Sequence, residues 1–544
     1  MTIEEYFPFQ SFRVHQKEII NKIKNDFENG IKVIILDGPT GFGKSPVNIT
    51  LGKYFKPTFY TTPQTKLVKQ LAKDFGPKEL AIDGGISDIM PLLGRNNYIC
   101  RETNKKSDLC PIAINKNENC ANYECTYWKQ KIATINADIS ILTFAMLIIN
   151  NYIIKGGSRF SKRNLLIIDE CHNLEDQVAS LFCGFSISPY SFPSFFREPK
   201  KQNIPFYLDN NSNFIIKNGE SIWDVIKKDV PDNNKIENHF PFLIKIQEIC
   251  NITLNQCNYI KEKRKLLNLI RKIDYLFEEL KEKRKWVINI IPKRNYTTRE
   301  FKPIKIDNFL KKMIWSQTNL IILSSATIPF RNQPEKWLKR LGLKDKSFSF
   351  HSIPMTFPIK NRLIITKLMG GKMTNKKEEE NWDTNIKNIK IIISHHINDK
   401  GVIHTQSYKR AERLAHDLNN YDIFLHNKHE INDNIITDWI NSGKKILISP
   451  AITNGVDLKD DLCRYQILLK IPYPSIGDAR VSYLLNIKKD WNWYYQETMK
   501  DIIQAYGRAI RSETDFAKFY IIDGSFKDIY RKVKFPTWFS KAII

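Results

Sequence analysis

Six short, β-branched apolar runs, each ending in a polar or glycine-rich cluster, set the tightest limit on how this chain can fold. They are VIIL (33–36) before DGPTGFGKS, LLII (165–168) before DECH, LIIL (320–323) before SSAT, GVIH (401–404) before TQSY, ILIS (446–449) before PAITNGVD and FYII (519–522) before DGS. Continuous apolar runs that alternate with amphipathic helical stretches mark strands buried on both faces of a parallel sheet. In such sheets the functional groups gather at the carboxyl ends of the strands, which is where these clusters fall. Three runs precede residue 345 and three follow it, so the reading is α/β with two such domains. A chain of 544 residues is too long for one core and divides into roughly three or four structural units.

The cluster after the first run, Gly38-Pro39-Thr40-Gly41-Phe42-Gly43-Lys44-Ser45, matches G-x-x-x-x-G-K-S between a strand-like and a helix-like stretch. Its glycines let the backbone wrap phosphates and aim N–H groups at them, Lys44 reaches the β- and γ-phosphates, and Ser45 ligates Mg²⁺. Pro46 follows, where the first turn of a helix needs no N–H. In LLIIDECH, Asp169 ends a strand and is placed to hold Mg²⁺ through water, and Glu170 is the candidate base that orients the attacking water. In QAYGRAIRS, the spacing puts Gln504, Arg508 and Arg511 on one face of a helix. Arginines delivered from the second domain can stabilise transition-state charge. Together these motifs predict ATP hydrolysis.

Lys and Arg number 84 against 58 Asp and Glu, a formal charge of +26. That balance favours a polyanionic partner, because each neutralised phosphate releases condensed counterions. The longest apolar run, ILTFAMLII (141–149), is about half of what a membrane-spanning helix needs. The opening MTIEEYFPFQ lacks a secretory pattern. The chain is read as soluble and intracellular, with no membrane partner, and its nine cysteines, an odd number, argue against a disulfide framework there.

Four of those cysteines fall in one polar window with the spacing Cys100-x9-Cys110-x9-Cys120-x4-Cys125. Structural zinc sites use paired Cys-x2–4-Cys knuckles, whereas iron–sulfur clusters take four thiolates at more varied spacing. Spacing alone leaves zinc, iron–sulfur and no metal open. Farther on, residues 259–286 place Leu266, Leu267, Leu269, Ile270, Ile273, Leu276 and Leu280 at near-helical spacing among charges, which predicts an amphipathic helix within an inserted, mostly helical module.

The ordered set FRVHQ, GPTGFGKS, DECH, SSAT, NGVD and QAYGRAIR resembles the superfamily-two helicases. DECHNLED, KGVIHTQSY, KIPYPSIGD and the GRNNYIC that leads into the cysteines narrow the resemblance to the XPD/DinG branch. The resemblance implies two RecA-like parallel-sheet motor domains with two insertions in the first. The expected boundaries are 1–92, 129–184 and 301–345 for the first motor domain, 93–128 for an iron–sulfur insertion, 185–300 for a helical arch-like insertion and 346–544 for the second motor domain.

The resemblance also implies roles. Gln16 reads the adenine; His172, Ser325 and Thr327 couple nucleotide state to domain closure; Asp457 senses the nucleotide from the second domain. Thr61, Thr62, Gln64, Ser407 and Tyr408 lie near a single-stranded DNA track. Tracks of this kind grip phosphates and stack bases on aromatic rings. Tyr98, Tyr473 and the cluster Trp491, Trp493, Tyr494 and Tyr495 are the stacking candidates, although core packing is the stronger reading for most of that cluster. The position of the cysteine window implies a 4Fe–4S cluster held by Cys100, Cys110, Cys120 and Cys125, beside ATP and Mg²⁺.

The implied activity is ATP-dependent 5′→3′ helicase or translocase movement on single-stranded DNA with unwinding of duplex junctions, in repair or replication. The implied location is the nucleoid or the nucleus, and the helical insertion is a place for protein partners. The competing reading is a translocase or remodeller acting on RNA, R-loops or protein–DNA complexes without strand separation. Two departures stand out: Cys171 replaces the alanine of DEAH, and Asn454 stands where the branch carries glutamate.

Overall fold

A computed structural model describes residues 2–77, 87–101, 104–107, 125–150, 160–198, 220–257, 260–427, 435–450, 458, 460–510 and 512–544. Of the sites expected from sequence, Cys110, Cys120, Asp457 and Arg511, together with Asn454, lie outside the described residues.

The apolar runs become strands. In chain order these are β1 (Val33–Asp37), β2 (Thr58–Thr62), β3 (Ile89–Pro91), β4 (Ile139–Thr143), β5 (Arg163–Asp169), β6 (Phe185–Ile187), β7 (Trp286–Pro292) and β8 (Thr297–Pro303). They continue with β9 (Thr318–Ser325), β10 (Phe348–Ser352), β11 (Ile364–Ile365), β12 (Gly401–His404), β13 (Ile423–Leu425), β14 (Ile446–Ser449), β15 (Tyr465–Leu468) and β16 (Lys518–Ile521). The first sheet runs β10-β1-β9-β5-β2-β4-β3 and the second β11-β16-β15-β12-β14-β13. All their pairings are parallel. Val33 to Leu36, Leu165 to Ile168 and Ile321 to Leu323 are shielded almost completely, as strands covered by helices on both faces must be.

Strand β10 pairs with β1 from Val33↔Phe348 to Asp37↔Ser352. The first sheet therefore runs past residue 345, and the expected start of the second domain at 346 is corrected to follow Ser352. An edge strand such as FSFHS, half-buried over most of its length, lacks the continuous apolar run that reveals a central one.

The insertion after β5 has its own core. Helices Phe240–Gln256 and Ile260–Lys281 pack Phe242, Ile246, Leu266, Leu269, Ile273 and Leu276 against the antiparallel sheet β6-β8-β7. The expected helix stops at Lys281; Lys283 adopts a left-handed φ of 56° and Trp286 starts β7. Among the described residues no helix is long and apolar enough to cross a membrane.

The described base of the cysteine insertion is a short antiparallel bridge between Ile99 and Lys106 beside helix Thr126–Asn136. Thr126 Oγ1 donates to the Ile99 carbonyl at 2.7 Å, so Cys100 and Cys125 are chain neighbours of two hydrogen-bonded residues. The two ends of the loop that carries the other two cysteines therefore meet.

Candidate nucleotide site at the domain interface

The glycine-rich turn leaves β1 and opens helix Lys44–Tyr54, with Gly43 at φ 82° and Gly41 at φ 83°. Its anchor is the Gly38 N–H, which donates to the Ser325 carbonyl at the end of β9 at 3.1 Å. Lys44 Nζ donates back to the Gly38 carbonyl at 3.0 Å. The helix N-terminus and this ammonium make a pocket suited to phosphate. A Cβ on Gly41 would sit 2.0 Å from the ring of Phe357, a residue of the second domain's core. Gly41→Ala is therefore expected to lose about 1–2 kcal/mol from the left-handed backbone alone and to force Phe357 aside; a fall in thermal midpoint together with weaker nucleotide binding checks this.

Asp169 and Glu170 end β5 side by side. Asp169 Oδ2 accepts from the Tyr60 hydroxyl at 3.0 Å, and that hydroxyl is also within hydrogen-bonding reach of Ser45. Burial, then repulsion from Glu170, pushes the Asp169 carboxyl up to about 6. Ser45 and Asp169 thus converge on one hydroxyl, a donor set of oxygens that fits Mg²⁺. Tyr60 was not singled out in the sequence, because a tyrosine inside TFYTT reads as strand core.

Glu170 stands at φ 50°, a left-handed conformation unusual for a side chain of this kind. Burial raises its carboxyl, but Lys44, His172 and Arg508 outweigh this and hold it below the ordinary value. His172 Nδ1 is 2.7 Å from Ser325 Oγ, and burial pushes the imidazole down to about 4, so it is neutral at physiological pH. Ser325 Oγ reaches Glu170 Oε2 at 3.4 Å and Thr327 Oγ1 at 3.3 Å. Thr327 Oγ1 accepts from Gln504 Nε2 at 2.8 Å, and Gln504 Oε1 accepts from Arg508 Nη2 at 3.1 Å. One line of hydrogen bonds runs from the first domain's carboxylate to the second domain's arginine. Gly507 lets that helix end come close, since a Cβ there would lie 3.2 Å from Thr40 Oγ1.

Gln16, buried, donates from Nε2 to the carbonyls of Phe42 and Gly43 at 3.1 Å each, and its Oε1 accepts from the Arg13 N–H at 2.8 Å. Arg13 Nη1 holds the Gly41 carbonyl at 2.9 Å. Arg13, Gly41, Phe42, Phe357, Ser512 and Glu513 line a cavity of about 310 Å³ beside this turn.

The expected strand contacts divide. Thr61, Thr62 and Tyr98, expected near the DNA track, are buried. Thr61 Oγ1 donates to the Ile167 carbonyl at 2.9 Å, Thr62 Oγ1 to the Gln64 carbonyl at 3.1 Å, and the Tyr98 hydroxyl accepts from the Leu93 N–H at 3.1 Å. Their polar atoms are satisfied inside the protein. Gln64 and Tyr408 are half-buried, and Ser407 caps helix Tyr408–Asp417 by accepting from the Arg410 N–H at 3.2 Å. Trp493 and Tyr494 are buried in the first domain's core, and Tyr473 stacks on Tyr494 with ring centroids 5.5 Å apart. Trp491 is exposed. Among the described residues no group of three or more His, Cys, Asp or Glu is gathered as a metal site; two of the four clustered cysteines lie outside them.

Two parallel-sheet domains that share a glycine-rich phosphate turn, a paired carboxylate and a glutamine–arginine helix define a RecA-like P-loop protein of the two-domain type. The comparisons with known proteins refine the class. The family described as "Helicase C-terminal domain" matches residues 391–542, and "Type III restriction enzyme, res subunit" matches residues 10–192. ATP-dependent DNA helicase chl1 of Schizosaccharomyces pombe is 29% identical over 110 residues, covering 18% of this chain and 13% of that protein. A probable ATP-dependent helicase of Methanocaldococcus jannaschii is 27% identical over 211 residues, covering 32% and 30%. ATP-dependent DNA helicase DinG of Photobacterium profundum is 23% identical over 242 residues, covering 41% and 34%. The matches therefore span about a third or less of the relatives' lengths.

Among solved structures, an XPD helicase superposes with a TM-score of 0.62 at 16% identity over 98% of both chains, and Xpd4 of S. tokodaii with 0.61 at 15% over 98% and 99%. At that identity the structures attest the fold. The chain has the fold of the XPD structures, and its sequence is similar to helicases of the chl1 and DinG type.

Proposed function

We propose that this chain is an ATP-dependent DNA helicase that moves 5′→3′ on single-stranded DNA. The observation that carries the reading is the continuous line Glu170–Ser325–Thr327–Gln504–Arg508, with His172 on Ser325. It ties the hydrolytic carboxylate of one domain to the arginine of the other, so nucleotide state and domain position are linked through side chains. The names of the relatives, each a helicase, support the same reading.

In this reading the turn Gly38–Ser45 receives the phosphates. Lys44, now on the Gly38 carbonyl, turns to the β- and γ-oxygens. Mg²⁺ would be held by Ser45 and Asp169 and would neutralise phosphate charge. Glu170, kept ionised, orients the attacking water, and Arg508 meets the charge that develops. Arg511 and Asp457 join from the second domain. The excess of 84 Lys and Arg over 58 Asp and Glu supports a nucleic-acid track.

The four cysteines Cys100, Cys110, Cys120 and Cys125 are proposed to hold a 4Fe–4S cluster. The hydrogen bond between Thr126 and Ile99 supports this by joining the chain next to Cys125 to the chain next to Cys100. A bound cluster would cross-link the polar window 100–125 and make it a wedge at the duplex junction. Chain purified without oxygen is expected to carry about four iron atoms with a broad visible absorbance. Cys100→Ser should lose both and keep the thermal transition of the motor domains; bound zinc in place of iron sinks the cluster assignment. Repair or replication is the proposed setting, in nucleoid or nucleus, with protein partners at the helical insertion.

ATP hydrolysis measured with single-stranded DNA and with RNA, followed by unwinding of forks with 5′ or 3′ tails, tests the function. Stimulation by DNA with unwinding from a 5′ tail is expected. Stimulation by RNA alone, or hydrolysis with no strand separation on either fork, overturns it in favour of a remodelling translocase.

A further inference from the structure

The helix Trp491–Tyr506 docks on the first domain along a stripe longer than its recognised motif. Gln496 Oε1 accepts from the Phe330 N–H at 3.0 Å, Lys500 Nζ lies 3.3 Å from Asp176 Oδ2, and Gln504 Nε2 meets Thr327 Oγ1 at 2.8 Å. Positions 496, 500 and 504 recur every four residues and so share a face. Lys500 is 7% exposed and also contacts Glu497. Its partner Asp176 sits on helix Leu174–Val178, which directly follows Asp169-Glu170-Cys171-His172. Beside it Glu175 accepts from Arg340 of the first domain at 2.8 Å and from Arg480 of the second at 2.6 Å.

We infer that Lys500, seated on Asp176, is a positioning residue for ATP hydrolysis, setting the register in which Gln504 and Arg508 meet Thr327 and Glu170. The inference rests on the ATPase reading above. A buried ammonium is tolerated only where a carboxylate and further hydrogen-bond partners meet it. Sliding the helix by one turn, about 5.4 Å, would take Lys500 off Asp176 and Gln496 off the Phe330 amide together. In some systems a buried polar group fixes register in this way; here the buried member is Lys500, while the Asp176 side chain is about half exposed. Asp176 moves with the hydrolytic turn, so the register is referred to the catalytic carboxylates themselves and not to a distant part of the domain.

Kinetics and hydrogen exchange of Lys500→Met and Lys500→Arg in the full chain test this. Lys500→Met is expected to lower the DNA-stimulated kcat by about 10–100-fold with the KM for ATP nearly unchanged. Lys500→Arg, which keeps the charge, should recover most of the rate. The Phe330 amide, protected by Gln496, should exchange about tenfold faster or more in Lys500→Met and return to normal in Lys500→Arg. A wild-type kcat in Lys500→Met, or unchanged exchange at Phe330, overturns the inference. A wild-type chain that hydrolyses no ATP overturns the function reading instead, and the exchange at Phe330 then decides the docking register alone.

Discussion

Lys44→Ala is expected to reduce nucleic-acid-stimulated ATP hydrolysis by on the order of 10³-fold, equivalent to about 4 kcal/mol of transition-state stabilisation. Lys44 stands at the first position of helix Lys44–Tyr54, and its ammonium holds the Gly38 carbonyl, so the substitution removes charge from the phosphate turn without opening a core. The Gly38 anchor to Ser325 is made by backbone atoms and survives. The loss should therefore fall on kcat while the thermal midpoint stays near wild type. Steady-state hydrolysis at saturating single-stranded DNA measures it. A Lys44→Ala chain that keeps DNA-stimulated hydrolysis would end the motor assignment altogether.

The second large effect is on stability. Arg163 begins β5 with its side chain 3% exposed, and its guanidinium collects main-chain carbonyls where three elements meet. Nη1 donates to Ala137 at 2.7 Å and Nη2 to Ile135 at 2.7 Å, with Thr58, Asp138 and Thr134 at 3.2 to 3.3 Å. The ring of Phe59 lies 5.0 Å beneath. Thr134 and Ile135 belong to the last turn of helix Thr126–Asn136, whose carbonyls have no partner within the helix, and a cation there also meets the negative end of its dipole. Burial lowers the guanidinium's value to about 10, which leaves it charged at neutral pH.

Arg163→Ala would take the donor from the Ala137 and Ile135 carbonyls and leave a cavity beside them, and is expected to cost about 4 kcal/mol, a fall of roughly 10 °C in thermal midpoint for a domain of this size. Arg163→Lys should restore only part, because one ammonium cannot span the fan of acceptors. A midpoint within a degree or so of wild type would show that water or a neighbouring donor replaces the guanidinium.

The central strands were legible because a strand buried on both faces has one solution in sequence, a continuous apolar run, and each of the six runs lies on a strand. The edges were not. Phe348–Ser352 alternates Phe with Ser and His because one side of it meets solvent, and only pairing with β1 makes it a strand. The three-stranded sheet β6-β8-β7 within the helical insertion was hidden for a similar reason: its two hairpin strands, WVINIIP and TTREFKP, are half-buried and follow directly on a helical pattern. At Thr61, Thr62 and Tyr98 the polar atoms are met by carbonyl and amide groups of the fold, which only the tertiary structure reveals.

What the sequence determined by itself was local pattern held within a few consecutive residues: the glycine-rich turn at Gly38–Ser45, the paired Asp169 and Glu170, and a helix face carrying Gln504 and Arg508. Each needs only local backbone geometry, so residue type and spacing are enough to specify it. The tertiary structure alone decided which groups complete them. Tyr60 joins Ser45 to Asp169, Thr327 joins Gln504 to Ser325, and Lys500 reaches Asp176 across 324 positions of chain. Those contacts arise where two separately folded sheets present their loop ends to each other, and no local spacing encodes the distance between residues that far apart in the chain.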